Sequence, residues 1–356
     1  MGDVGFGLIR STGEEAEMSA PRYRSATIGL LAAAGFAVAH AGAAAAQAPY
    51  TLRYAVDTER NINELSQRVA ERQGFFAREG INLEIHRFVA TGNRESDRTA
   101  LLGARANFDM ARMQLSELME PEGRFKGLNY VAVEAVVNNP VYFLVARPEI
   151  KAFADLKGKT LTLPSPADPI SLTAHELLKM HGLNDGDVKI KDIAGSGPRV
   201  ACLKSGECAA ASLSQPPVFA AFDAGAHTLA MHIETGRLLY VIEMVDRAWA
   251  EAHTDIVVRY IRATAAANRF IQEAANREEV VKAAMEVTAQ PENRVREMLT
   301  YFWDARNDVL PKQGEIDLAK VNALITLYGQ YGILKPPLPA PERFVDLRYL
   351  RTAGIE

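Results

Sequence analysis

The segment LTLPSPADPISLTAHELLKMHGL, residues 161–183, places Ser165, Pro166 and Asp168 between a β-rich run and a helical pattern. Asp168 suits an N-cap, because its carboxylate accepts from the open N–H groups of a first helical turn, and Pro169 suits the first helical position. Gly182 marks the far end. A free helix N-terminus after a strand either punctuates the chain or meets a ligand, since its unpaired N–H groups attract anions. Other chemistry is sparse. The seven histidines are scattered and no H-E-x-x-H occurs. His227 and His232 lie five apart across an expected strand and so face opposite sides, which does not suit a shared metal. AGSGP at 194–198 has neither nucleophile-elbow nor dinucleotide-loop spacing, and there is no Walker-type loop. These residue types point to binding rather than turnover, with no cofactor and no metal.

The bulk numbers agree with a soluble globular protein. The chain has 356 residues, enough for roughly two domains, and its 40 basic and 44 acidic residues are evenly mixed. A net charge of −4 gives no basic footprint, so nucleic acid is excluded as a partner. Arg22 and Arg24, then an apolar run from Ile28 to Ala39, then a small-residue tract form a secretory signal. Residues 1–46 are read as that signal, with cleavage after Ala46; Met18 would itself open a conventional signal, which makes the residues before it a misassigned start. An N-terminal membrane anchor is the alternative. Export permits a bridge between the only cysteines, Cys202 and Cys208, across a turn at Ser205-Gly206. A chance pair of buried small residues is equally open, because geometry decides.

The elements that must position these residues alternate. TLRYAVD (51–57), INLEIHRFV (81–89), ANFDMAR and LNYVAVEAVV read as strands, separated by a helix carrying Leu65, Val69 and Phe76 and by a short one at Leu101 and Leu102. That order predicts an α/β layer architecture with parallel pairing. At Asn138-Asn139-Pro140 two β runs meet with no helix between them, which reads as a crossing between domains. A second α/β unit follows, and RLLYVIEMV (237–245) reads as a return strand. The expected lobes are 47–137 plus 241–356, and 138–240. Beyond the return the chain reads as mostly helical, with a core stripe at Ile256, Tyr260, Ala263, Ala267, Phe270 and Ala274. KPPLPAPERF is a proline-stiffened tether before a last helix.

Three stretches carry a resemblance. RQGFFAREGINLEIHRFVATGN, IKAFADLKGKTLTLPSPADPISLTAHELLKMHGLNDGDVKI and RVACLKSGECAAASLSQPPVFAAFDAG resemble bacterial solute-binding proteins of the nitrate, sulfonate and taurine importer group. That group sits in a thiamine-pyrimidine-precursor-binding-like superfamily. The resemblance implies a type 2 periplasmic-binding-protein fold: two α/β lobes joined by two crossover strands, closing on a small molecule. It also implies an ABC permease and its ATP-binding subunit as partners, a periplasmic location and a monomer. In such a fold the ligand lies at strand carboxyl ends and helix N-termini. The candidates by that rule are Arg60 and Asn61; Thr91, Gly92 and Asn93; Met113 and Gln114; Asn138; Ser165, Pro166 and Asp168; Ser196 and Arg199; and Gln215. Asn, Ser and Asp at such junctions also serve as plain caps.

Helix N-termini favour a sulfonate or carboxylate, and Arg60, Arg94, Arg112 and Arg199 offer bidentate partners. Asp168 opposes a simple anion, which favours an organic ligand with its own donors over nitrate. Few aromatics fall at the expected cleft positions, which argues against a large flat ligand. Two alternatives differ in kind: a periplasmic sensing module for a receptor kinase, and an enzyme like the fungal thiamine-pyrimidine synthases. The latter resemble this group but carry a cysteine-rich active segment, whereas this chain has two cysteines.

Overall fold

The structure, a computed structural model, describes residues 49–57, 61–88, 108–121, 125 and 127–356. The expected signal over 1–46 lies outside them. Apolar and polar residues alternate in β1 (Tyr50–Asp57), so Leu52, Tyr54 and Val56 turn inward and are buried. α1 (Leu65–Arg72) and α2 (Phe75–Arg78) lead to β2 (Ile81–Phe88), which pairs parallel with β1 along its whole length. β3 (Met110–Gln114), α3 (Ser116–Met119) and β4 (Tyr130–Val137) complete the first pass.

The chain then crosses to a second sheet. It runs through β5 (Tyr142–Ala146), β6 (Thr160–Leu163), α4 (Pro169–Met180), β7 (Lys189–Asp192) and α5 (Ser196–Ser205). β8 (Ala210–Ser214), α6 (Val218–Phe222) and β9 (His227–Met231) follow. It returns as β10 (Val241–Asp246). The remainder is helical: α7 (Arg247–Ala252), α8 (Thr254–Gln272), α9 (Arg277–Thr288), α10 (Glu292–Trp303), α11 (Leu318–Gln330) and α12 (Arg348–Ala353).

The strand orders are β2-β1-β3-β10-β4 and β7-β6-β8-β5-β9. Parallel pairing therefore holds only in part. β10 lies antiparallel between β3 and β4, and β5 lies antiparallel between β8 and β9. Each of these two strands enters its sheet directly from the other sheet. Neither arrives through a helical crossover, which is the connection that makes neighbours parallel. β4 stands at a sheet edge yet is buried at every residue. The segment after the proline tether covers it: Ala132 donates to Phe344 O and accepts from Asp346 N, both at 2.9 Å. A bare edge would template strand addition; this one is capped. On α8, Ile256, Tyr260, Ala263 and Ala267 are buried as the stripe predicts, joined by Ile271. Phe270 is only half-buried and Ala274 lies beyond the helix end, where the register of the stripe no longer applies.

Cys202 and Cys208 are joined in a disulfide, with their Cα atoms 5.3 Å apart. Gly206 takes a φ of 84° between them, a left-handed turn that a side chain would strain, and the bridge ties the end of α5 to the start of β8. Closing so short a loop restricts the unfolded chain by about 2 kcal/mol.

The core of the first sheet holds a row of charge. Glu243 of β10 stands opposite Arg112 of β3 on one side and Glu134 of β4 on the other, and all three are buried. Glu243 Oε1 accepts from the Tyr54 hydroxyl and Gln67 Nε2, each at 2.6 Å, and from the Tyr260 hydroxyl at 3.1 Å. Glu134 Oε1 accepts from the Thr264 hydroxyl at 2.6 Å. Burial pushes Glu243 up to about 7 against the pull of these donors and of Arg112. Burial, reinforced by Glu243 alongside, pushes Glu134 well above the usual carboxylate range.

A carboxyl raised in the folded chain binds its proton more tightly there than in the unfolded chain. The stability this gives is complete below the unfolded value near 4.5 and is lost as pH rises through about 7. For Glu243 the amount is on the order of 3 kcal/mol. Glu243→Gln keeps the shape and the acceptor but cannot titrate. Urea unfolding at about pH 5 and about pH 8 should show the variant gaining on wild type by that order as pH rises. Parallel behaviour of the two proteins would contradict the assignment.

Candidate functional site

A cavity of about 360 Å³ lies between the two sheets. Asn61, Arg112, Met113, Gln114 and Tyr240 wall it from the first sheet and the segments leading into and out of it; Tyr142, Gly197, Ser214 and Gln215 wall it from the second. Phe302 of α10 and Val309 add an apolar patch. β3 and β8 deliver Gln114 and Ser214 as their last residues, so the site forms at strand carboxyl ends.

The hydrogen bonds of the wall fix its polarity. Asn61 turns inward while capping the turn at Ile62–Glu64, accepting from Asn63 N at 2.9 Å. Gln114 Nε2 donates to the Tyr240 hydroxyl at 2.9 Å, and its Oε1 accepts from the Ser116 hydroxyl at 3.2 Å. The rings of Tyr142 and Tyr240 meet edge to face, 6.1 Å apart. Burial raises both phenols above their ordinary value, so each stays a neutral hydroxyl. Arg112 carries charge into the wall, with a carboxylate oxygen of Glu64 at 3.6 Å and Glu243 beside it in the sheet. Glu64 is itself held by the Arg87 guanidinium at 2.6 and 3.0 Å, and burial pushes Glu243 up to about 7, so the cation is only partly opposed before any ligand arrives.

Gln215 differs from its neighbours. It is 3% exposed, and neither its Oε1 nor its Nε2 has a hydrogen-bond partner among the described residues. It follows the last residue of β8 and precedes Pro216 across a cis peptide bond.

Of the residues expected from the sequence, Asn61, Arg112, Met113, Gln114 and Gln215 line this cavity. Arg60, Thr91, Gly92 and Asn93 lie outside the described residues. Asn138 does not line it: its Nδ2 donates to Asp308 Oδ1 at 3.2 Å. Ser196 and Arg199 are turned to the fold instead. The Arg199 guanidinium donates to Ser212 O at 2.7 Å, Ile193 O at 2.8 Å and the Ser196 hydroxyl at 2.9 Å. Ser196 Oγ also meets Ser214 Oγ at 2.9 Å and accepts from Ser214 N at 3.1 Å. Ser165 and Pro166 are off the wall, and Asp168 caps α4 by accepting from Ile170 N at 2.8 Å. Burial raises the Asp168 carboxyl, partly offset by that N–H, by Arg199 and by the Gln114 side chain.

The aromatic wall was not anticipated. Tyr142 and Tyr240 flank the two passages of chain between the sheets, so only knowledge that these passages line the cavity would have singled them out. Phe302 comes from a distant helix and carries no local signal. Of the scattered histidines, His232 bridges the Thr173 and Ser212 hydroxyls at 2.8 and 2.9 Å, and burial lowers it to about 3, leaving it neutral.

Two α/β sheets joined by two passages of chain, with a polar cavity at their strand ends, define the type 2 periplasmic-binding-protein fold. A family model described as NMT1/THI5 like matches residues 61–274, and the chain belongs to that family. A search of curated protein sequences finds no match. Among solved structures the chain is similar to the periplasmic nitrate-binding protein NrtA from Synechocystis PCC 6803, with a TM-score of 0.68 and 13% identity over 86% of this chain and 88% of that one. The periplasmic aliphatic sulphonate binding protein SsuA from Escherichia coli gives 0.62 and 14%, over 86% of this chain and 100% of that one. The desulfurization enzyme DSZB gives 0.61 and 15%, over 85% and 98%. At such identities these likenesses concern the fold. The fold hosts both binding and catalysis, so function has to be argued from the site.

The contrast between Arg199 and the cavity wall is testable. Arg199→Met removes a buried charge with its bonds to two carbonyls and a hydroxyl. It should lower stability by about 3 kcal/mol or more in urea unfolding, since charged hydrogen bonds are worth about 1.5–3 kcal/mol each. Unchanged stability would mean that the guanidinium does not hold the β7–α5 turn.

Proposed function

We propose that the chain is an exported solute receptor that captures a small organic ligand between its two sheets and hands it to an ABC importer. The mature protein would run from residue 47 as a periplasmic monomer. One lobe would comprise 47–137 plus 241–356 and the other 138–240, with an ABC permease and its ATP-binding subunit as partners. The observation that carries the reading is the cavity of about 360 Å³ walled from both sheets by Asn61, Gln114, Gln215 and the two tyrosines. A site shared between lobes lets ligand binding favour their closure. The neighbours described as ligand-binding proteins support the same reading.

Sulfonates and carboxylates are the first ligand classes to consider. Arg112 supplies a cation, opposed only in part by Glu64, which Arg87 also holds, and by Glu243, which burial raises to about 7. An organic ligand can use this cation together with the uncharged wall of Asn61, Gln114, Gln215 and the two tyrosines, which nitrate is too small to span. Binding without turnover is favoured because the only two cysteines are joined to each other, leaving no thiol nucleophile.

A melting-shift screen over sulfonates, carboxylates, nitrate, pyrimidines and amines tests the proposal. At a concentration ~100 times the dissociation constant, a bound ligand adds about 2.7 kcal/mol of stability. At least one organic compound should raise the melting temperature and be recovered unchanged. No shift from any class, or chemical conversion of the hit, would overturn the receptor reading.

A further inference from the structure

Gln215 is the one buried side-chain amide among the described residues with both polar ends unpaired. The other members of the polar wall are occupied. Gln114 bonds Tyr240 and Ser116, and Ser214 bonds Ser196. Asn61 caps its turn. An amide offers two donor hydrogens on nitrogen and two acceptor lone pairs on oxygen. Leaving both ends unmade away from water is unfavourable, and the fold supplies nothing within reach. Gln215 nonetheless lies in the cavity wall, 3% exposed, between the end of β8 and a pair of prolines that fix its backbone.

We propose that Gln215 sets the ligand class of this cavity, pairing with an amide-type edge on the ligand, a carbonyl acceptor beside an N–H donor. This deepens the receptor reading and rests on it. The chemistry follows from complementarity. A nitrate, sulfonate or carboxylate is acceptor-only: it can take the Nε2 hydrogens but leaves Oε1 unpaired, with its lone pairs turned toward an anion. A primary carboxamide or a lactam presents donor and acceptor side by side, so two parallel hydrogen bonds close with the Gln215 amide. A site with a buried unpaired donor and acceptor rejects an analogue lacking either partner far more strongly than an apolar pocket rejects a misfit. The tyrosine pair in the same wall offers ring surface to the rest of the ligand. An acid elsewhere on the ligand falls to other parts of the wall. The two sheets are joined through two passages of chain, and hinge motion about them admits a ligand to a group closed from solvent.

The test uses the full mature chain and three matched pairs that differ in the amide edge: benzamide with benzoate, succinamate with succinate, and 3-sulfopropanamide with 3-sulfopropanoate. Dissociation constants are measured by calorimetry for wild type and Gln215→Met, which keeps the length of the side chain and removes both polar ends. In wild type, the amide member of at least one pair should bind about tenfold or more tighter than its partner. In Gln215→Met that preference should disappear. Without ligand the variant should melt no lower than wild type, because the amide has no bonds in the fold to lose. Amide members that bind no tighter than their partners in every pair, including no binding by either, overturn the inference. So does a preference that survives in Gln215→Met, or a ligand-free variant that melts lower. A hit from the broad screen with no donor beside an acceptor also overturns it while the receptor reading stands; a screen without any hit removes both.

Discussion

The Asn139 side chain holds together the two passages of chain between the sheets. Its Oδ1 accepts from Leu238 N at 3.0 Å and its Nδ2 donates to Asn307 O at 2.9 Å. One amide thus joins the outgoing passage, the returning passage and the turn that carries Val309 into the cavity. Backbone bonds reinforce it: Tyr240 N donates to Val137 O at 3.1 Å, and Asn138 N donates to Val309 O at 2.8 Å. Asp308 sits in the left-handed region at a φ of 49°, held by Lys320 at 2.7 Å. A non-glycine residue there is strained, and the surrounding bonds fix it. Tyr142 and Tyr240 are aligned by this clasp, so the cavity wall inherits its geometry from the crossing.

Behind the wall the charge row of Arg112, Glu243 and Glu134 sets the electrostatics of the site. A buried arginine alone would make the cavity a strong anion trap. Glu64, shared with Arg87, and Glu243, raised to about 7 by burial, oppose its field only in part. Glu243 takes three donors on one oxygen, so its proton and its position belong to the core. The same buried polar network that orders the first sheet therefore also moderates what the cavity attracts.

The order of elements was readable because apolar periodicity is local, and the helix start at Asp168-Pro169 was readable because cap chemistry is local. Strand pairing was not: nothing within Val241–Asp246 tells that it lies antiparallel between β3 and β4. Arg199 and Gln215 show the limit for the site. Both follow strands of the second sheet and looked equivalent as candidates. Their fates diverge through the carbonyls of Ile193 and Ser212, which capture the guanidinium, and through the lack of any such partner for the amide. That difference is made by packing between segments, which no spacing rule within one segment encodes. Asn138 and Asn139 were legible as a break, but their work as a clasp depends on a loop more than 160 residues further along.

The cavity between the two sheets is proposed as a solute site read chiefly by uncharged polar groups. A crystal structure with the tightest-binding organic compound tests it most directly. The compound should lie between the sheets, within hydrogen-bond distance of Gln215 and against the Tyr142–Tyr240 pair. A compound bound elsewhere, with Gln215 still unpaired, would contradict it.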